Sequence, residues 1–480
     1  MRGAPATSLE TASTEPSFAV CVDFGSTFTK AALVDLAEGR IVAQASHPTT
    51  IATDVLDGYD ACLAALRDQD PRADDADVLA CSSAGGGLRI AVVGNEELVT
   101  AEAGRRVALS SGGRVIEVVA AAGRVPEDAR WRGLGHTTRA DVVLLTGGTD
   151  GGNTQVIVDA AKGIVAGGWT GPVVVAGNVD ARAEVEKALQ DNPYVVADNV
   201  VPRIGVLAPA SARKAIREMF LSHVIGGKHL SKRADFTSMV TGATPDVVLT
   251  GVELLARGLD ADHPGAGDVV VVDVGGATTD VHSVVELDPE EATLSREVVA
   301  TTPVTRTVEG DLGMRWSATS TVAEAGLDDL VAAARQRHDD PGYLPTTDAE
   351  FADDEQLAAA AVGLALRRHA GRSQVVVGPD GRVVERTGKD LRDVDLLVAS
   401  GGVLRHGRPG VEQRVFAGST GDVEGGWQLP VRPRFVVDRD YVLAAAGLLA
   451  ERHPEAAHRL VRGLAESATP PGDSRPRLGD

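Results

Sequence analysis

Residues 19–36, AVCVDFGSTFTKAALVDL, and residues 269–287, VVVVDVGGATTDVHSVVEL, are two versions of one pattern. Each is an apolar run, an aspartate, a glycine turn carrying hydroxyls, and a second apolar run. At a constant offset of 250 residues, Asp23 falls on Asp273, Gly25 on Gly275, Thr29 on Thr279 and Lys30 on Asp280. Apolar runs joined through a tight glycine turn predict paired strands. One such motif is common; a matched pair in matched context predicts a duplicated core of two facing lobes.

Outward from the first copy, FAVCVDF, KAALVDL and RIVAQAS predict three consecutive short strands. DVLDGYDACLAALR then gives an amphipathic helix, and ADVLACS a further strand before the run Gly85–Gly87. The strand LRIAVVG, a helix around Glu96 to Leu109 and the strand RVIEVVA follow. DVVLLTGG, a helix over Asn153 to Ala161 and GPVVVAGN predict a parallel βαβ unit. A long helical stretch over Ser211 to Leu230 ends this half, and ARGLDADHPGAGD marks the boundary. The expected organisation is α/β: an N-terminal lobe over 17–264 with a βαβ insertion, a C-terminal lobe over 265–467, and loose Pro/Ser/Thr-rich tails at 1–16 and 468–480.

A length of 480 residues fits roughly two to four domains. Apolar residues at 43% and charged residues at 24% are a globular mixture. The net charge is −21, and only seven of the 47 basic residues are lysine, which disfavours a nucleic-acid partner because phosphate contacts need clustered cations. Cys21, Cys62 and Cys81 form no C-x-x-C pair, against a disulfide framework, a zinc site or an iron–sulfur cluster. The polar start MRGAPATSLETASTEPS lacks the apolar core of a secretory signal, and no apolar run is long enough for a membrane span. A cytoplasmic protein with no membrane partner is the expectation.

The first loop, Asp23 to Lys30, suits an anion. Gly25 permits a positive φ and close backbone approach, Ser26 and Thr27 add hydroxyl and N–H donors, and Asp23 can hold Mg²⁺ through water. The bland alternative is a hairpin turn with a solvated aspartate. The second loop repeats the logic with Asp273, Gly275, Gly276 and Thr278, so Asp23 and Asp273 would flank one metal–phosphate cluster. Lys30 could reach a phosphate, but its place just beyond the turn favours an exposed strand position. After the strand DLLVAS, Gly401 and Gly402 leave room for a flat ring or ribose. The small residues Ala444 to Gly447 suit either a close helix crossing between lobes or a simply buried helix.

These four elements in this order resemble the actin, sugar-kinase and heat-shock ATPase superfamily. The resemblance implies a duplicated ribonuclease-H-like, two-lobed (actin-like) ATPase fold, with ATP and Mg²⁺ in the cleft. The two Asp-Gly turns would be phosphate loops, Gly401-Gly402 the adenosine loop, and 441–450 a connecting helix. More narrowly, VDFGSTFTKAALVDL, CSSAGGGLRIAVVG, LLTGGTDGGN, VVDVGGATTDVHSV and GVLAPASARKAIREMFLSHVI look like the glutamate mutase accessory proteins of the GlmL or MutL type. That resemblance implies an ATP-dependent chaperone or reactivating factor whose partners are the subunits of an adenosylcobalamin-dependent glutamate (methylaspartate) mutase.

Two other readings share the scaffold: a small-molecule kinase, and a nucleotide-gated scaffold with little turnover. A kinase needs a base beside the acceptor hydroxyl, and Asp150 and Asn153 are candidates for such a second polar site; the alternative is a glycine-rich turn with Asn153 capping the next helix. Asp280-Val281-His282 begins like the cobalamin-binding D-x-H-x-x-G, but residue 285 is valine, so the chain has no cobalamin motif of its own and His282 reads as a strand residue. Arg315 follows another turn in the second lobe without a spacing that fixes its role.

Overall fold

The structure, a computed structural model, describes residues 17–121, 131, 133, 134, 139–233, 235–286, 302–378, 381–421, 423 and 425–470. The expected tail at 1–16 and most of that at 468–480 lie outside them.

The chain opens with an antiparallel meander, β1 (Phe18–Phe24), β2 (Phe28–Asp35) and β3 (Arg40–Pro48). Helix α1 (Val55–Gln69) then carries it back to β4 (Asp77–Ser82), parallel to β1. The Asp54 carboxylate caps α1 by accepting from the Leu56 N–H, and Val55, Leu56, Tyr59, Cys62 and Leu66 form its buried stripe. Strand β1 is buried at Ala19, Val20, Cys21, Val22 and Phe24, as a strand covered on both faces must be.

A second sheet is inserted here. Strands β5 (Leu88–Gly94), β6 (Gly113–Ala120), β7 (Val142–Leu145), β8 (Val173–Val175) and β9 (Tyr194–Val196) are all parallel, in the order β6-β5-β7-β8-β9. Helix α2 (Glu102–Ser110) joins β5 to β6, and α3 (Gln155–Ala166) joins β7 to β8. This is the doubly wound 2-1-3-4-5 arrangement. The βαβ unit expected from DVVLLTGG to GPVVVAGN is its centre, and the insertion reaches further, to β5 and β6 on one side and β9 on the other.

Helix α4 (Ala210–Met219) continues through a wider turn at Phe220–Val224 and ends at Gly227, three residues short of expectation. Strand β10 (Val240–Ala243) then pairs with β4, and α5 (Thr244–Arg257) follows it.

The second half repeats the first. Strands β11 (Val269–Val274), β12 (Thr279–Val284) and β13 (Val304–Glu309) form the meander, and α6 (Asp348–His369) covers it. After the hairpin β14 (Arg372–Gly378) and β15 (Gly381–Thr387), β16 (Leu396–Ser400) returns parallel to β11. Strand β17 (Arg434–Val437) pairs with β16, and α7 (Val442–Leu449) follows. The orders β3-β2-β1-β4-β10 and β13-β12-β11-β16-β17 are one sheet built twice. Beyond it, Thr469 bridges to Phe435 through two backbone hydrogen bonds of 2.8 and 3.0 Å, so the expected loose tail does not begin at 468.

Helices α5 and α7 cross between the lobes. A Cβ on Gly251 would stand 2.2 Å from the Leu443 carbonyl oxygen, and one on Gly447 2.0 Å from that of Val247. The small-residue stretch at 444–447 is therefore a close crossing, with Ala444, Ala445 and Ala446 buried in it. One apolar cluster runs through it, joining Ala19 and Cys21 of β1 to Val269 and Val271 of β11 by way of Val247, Leu255, Leu443 and Ala446. Among the described residues, no helix is long and apolar enough to cross a membrane.

Candidate functional site

The two glycine turns close identically. The Gly25 N–H donates to the Phe28 carbonyl at 3.1 Å, and the Gly275 N–H to that of Thr278 at 2.9 Å. A Cβ would fall 2.5 Å from the first carbonyl oxygen and 2.8 Å from the second. Neither glycine has a positive φ. That corrects the expectation for Gly25: the turn needs room, not a left-handed backbone.

The turns differ in cover. Ser26 and Thr27 stand exposed at the first tip, whereas Gly275, Gly276 and Thr278 are half-buried. The segment 310–317 folds over the second turn: the Met314 and Arg315 N–H groups donate to the carbonyls of Gly275 (3.0 Å) and Gly276 (2.8 Å), and the Ser317 hydroxyl to that of Ala277 (2.7 Å). The Arg315 guanidinium turns instead to the carbonyls of Met314 and Tyr343, so Arg315 buttresses the turn.

Lys30 ties the halves together. It pairs with Asp23 across β1 and β2, and its Nζ lies 3.7 Å from Asp23 Oδ2 and 3.8 Å from the centre of the Tyr441 ring in the other lobe. Tyr441 takes φ +54° at the start of α7, and the Arg405 guanidinium packs on the same ring at 3.6 Å. Lys30 is thus half-buried between the lobes, which corrects the exposed-strand expectation. Strand alternation sets the face a side chain takes, and here the second lobe covers that face. Burial opposes the Lys30 charge, but Asp23, Tyr441 and Asp273 outweigh it and raise its pKa.

Asp273 lies within electrostatic reach of Lys30 and Asp23. Burial raises its pKa, and the Asp280 and Asp23 carboxylates add to that, against the lowering pull of Lys30 and the Ser400 hydroxyl. Asp23 Oδ1 accepts from the Thr244 hydroxyl at 2.7 Å, at the start of α5. Asp280 accepts from Thr278 Oγ1 (2.9 Å) and from Arg306 through Nη2 (2.6 Å) and Nε (3.1 Å).

Strand β16 ends beside Asp273, in register with Ser400. Gly401 has φ +116°, and a Cβ there would sit 2.3 Å from the Val274 carbonyl oxygen. A Cβ on Gly402 would meet nothing within 4 Å, so open space begins at that residue.

Other candidates go elsewhere. Asp150 accepts from the Val179 N–H (3.1 Å) and Asn199 Nδ2 (2.8 Å), and Asn153 accepts from the Gln155 N–H (2.8 Å) at the start of α3. Both brace the insertion's own loops. His282 is buried in β12; burial, then Arg306, push its pKa down to about 3. The three cysteines are buried free thiols. Thr244, Arg306, Arg405 and Tyr441 belong to no motif legible in the sequence. The one local trace is Thr244-Pro245, a hydroxyl and a first-turn proline entering a helix straight from a strand.

A sheet built twice, with an acidic glycine turn at the same place in each copy and two helices crossed between, defines a two-lobed α/β protein of the duplicated, actin-like fold. Within that class the chain belongs to the MutL protein family, whose model matches residues 19–464. Protein MutL of Clostridium tetanomorphum is 35% identical over 459 residues, covering 92% of this chain and 97% of that protein. Solved structures align loosely. A nucleotide-free acetone carboxylase is 15% identical, with a TM-score of 0.39 over 90% of this chain and 70% of that one. Gluconate kinase from Lactobacillus acidophilus is 14% identical, with a TM-score of 0.34 over 95% and 93%.

Proposed function

We propose that this chain is a slow MgATPase that serves as an accessory, chaperone or reactivating factor for an adenosylcobalamin-dependent glutamate mutase. The observation that carries the nucleotide reading is the meeting of two matched Asp-Gly turns at Lys30, between lobes joined by crossed helices. Family membership supports the mutase as partner.

In this reading the exposed first turn, with Ser26 and Thr27, and the second turn, with Gly275, Gly276 and Thr278, hold the phosphates from opposite lobes. Lys30 turns from the carboxylates to a phosphate oxygen as a point charge. Gly401 and Gly402 take the adenosine side, where Gly402 opens on free space. The residues present fit Mg²⁺: Asp23 and Asp273 offer the oxygen donors a hard cation prefers, and a cation would offset the burial that raises the Asp273 pKa. When bound, the ion supplies charge neutralisation for the transferring phosphate. Cleft closure around the nucleotide then biases two lobe arrangements that differ in affinity for the partner. Less supports the rival kinase reading, since its candidates for a second polar site, Asp150 and Asn153, accept hydrogen bonds within the insertion.

Purified protein should hydrolyse ATP slowly, and Asp273→Ala should lower turnover by at least about tenfold. Unchanged turnover in that variant would remove this site. An ATP-dependent cofactor-exchange assay with the mutase subunits tests the partner.

A further inference from the structure

We propose that Arg306 is the positioning residue that couples the second phosphate turn to the inserted sheet, so that nucleotide in the cleft sets the stance of the insertion. This rests on the nucleotide reading above.

Arg306 sits on β13 and is 4% exposed. One side of its guanidinium holds Asp280. The other leaves the lobe: Nη1 donates to the carbonyls of Leu109 and Gly113, 3.3 Å each. Those carbonyls lie at the C-terminal end of α2 and the first residue of β6, where the helix dipole favours a cation. A side chain of the second lobe thus bonds the second turn and the insertion at once.

The same short segment is gripped from the first lobe. Gly112 has φ +76°, and a Cβ there would lie 2.6 Å from the Asp246 backbone nitrogen. Asp246 is buried and held by Arg217 at 2.6 Å. It stands two residues beyond Thr244, which bonds Asp23. Residues 109–113 are therefore clamped between an element anchored to the first turn and one anchored to the second. Outside the clamp, a groove of about 460 Å³ lined by Arg105, Val118, Thr307, Glu309 and Arg368 separates β6 from β13.

A phosphate arriving at Thr278 competes for the hydroxyl that now donates to Asp280. Asp280 then leans more on Arg306, and the pull reaches the Leu109 and Gly113 carbonyls. The coupling is a shared hydrogen-bond chain biased from both ends.

The test is hydrogen exchange of the full chain with and without Mg²⁺ and a non-hydrolysable ATP analogue, with affinity measured by calorimetry. In the wild type, nucleotide should change exchange over residues 109–119 by more than about threefold. Arg306→Gln should abolish that response while keeping analogue affinity within about threefold of wild type. A merely structural Arg306 would raise exchange with and without nucleotide and leave the response intact; that result overturns the relay. Asp280→Asn cuts the chain on its other side and gives the same test should Arg306→Gln fold poorly; a retained response there also overturns it. Analogue that binds the wild type without altering exchange at 109–119 sinks the relay and leaves the cleft standing. No binding at all sinks both.

Discussion

The β1–β2 and β11–β12 turns share strand order, register and closing hydrogen bond, yet their charges are arranged oppositely. Position 30 is a lysine reaching across to Tyr441; its match, Asp280, is held down by Arg306. The first tip is exposed, and the second lies under the segment 310–317. Topology and charge therefore separate. The backbone demands a glycine at both turns, while each carboxylate takes its partner from whatever its own lobe places beside it. The outcome is one turn with an exposed tip and one buttressed by its own lobe.

The strongest blow to this pairing falls where the copies touch. Gly447→Ala puts a methyl 2.0 Å from the Val247 carbonyl oxygen, and Gly251→Ala puts one 2.2 Å from that of Leu443. Alanine normally stabilises a helix relative to glycine by about 0.5–1 kcal/mol. Here each change should destabilise by about 3 kcal/mol, read from denaturant midpoints. A neutral result would mean the crossing is looser than two opposed glycines require.

The next test strips the charge asymmetry. Lys30→Ala should weaken binding of an ATP analogue by about tenfold or more, because it removes the cation facing both carboxylates. Asp280→Asn should weaken it less, since Arg306 already holds that carboxylate. Equal losses in calorimetry would show the two positions to be electrostatically equivalent.

What could be read from the chain divides along the same line. Both turns, their strands and Gly401-Gly402 were legible, because a tight turn or a close backbone approach leaves glycine at a fixed offset from an apolar run. Thr244 was not: it meets Asp23 across 221 residues of sequence, through the strand order that puts β10 beside β4. Tyr441 and Arg306 were hidden for the same reason. Lys30 reads as an exposed strand position in the sequence because alternation gives the face of a strand but not what covers it. The insertion was half legible, since one βαβ unit can be recognised locally whereas the 2-1-3-4-5 order depends on which side of β5 each later strand lands.

Among the matched core positions at which the meanders differ, one sets Ala32 in β2 against a titratable His282 in β12. His282 is neutral in the fold, with its pKa pushed down to about 3 by burial and Arg306, whereas an unfolded chain binds a proton there below about 6.5. Its contribution is therefore present above about pH 6.5 and is lost as pH falls toward 3. His282→Ala copies the first lobe. It should lower stability overall through the lost volume, but flatten the slope of stability against pH between about 6 and 4 by up to roughly 1.4 kcal/mol per pH unit. An unchanged slope in denaturation series across that range would mean that His282 is protonated in the folded protein.

The finest difference lies in which hydroxyl serves each carboxylate. Cys81 and Ser400 occupy matched places, in register with Asp23 and Asp273 on the neighbouring parallel strands. In the second lobe the Ser400 hydroxyl stands beside Asp273 and favours its charged form. In the first, the Cys81 thiol is only a weak donor, 3.7 Å from Asp23 Oδ1, and Thr244 supplies the hydroxyl from α5. Thr244→Val keeps the shape and removes that bond, so it should cost about 1 kcal/mol of stability. Cys81→Ser on that background installs the second lobe's solution in the first, and a hydroxyl donates far better than a thiol. The double variant should recover part of the loss, giving a non-additive cycle in denaturant unfolding. Strict additivity would mean that the place beside Asp23 cannot direct a hydroxyl at it, and that the two lobes differ there in backbone position as well as in side chain.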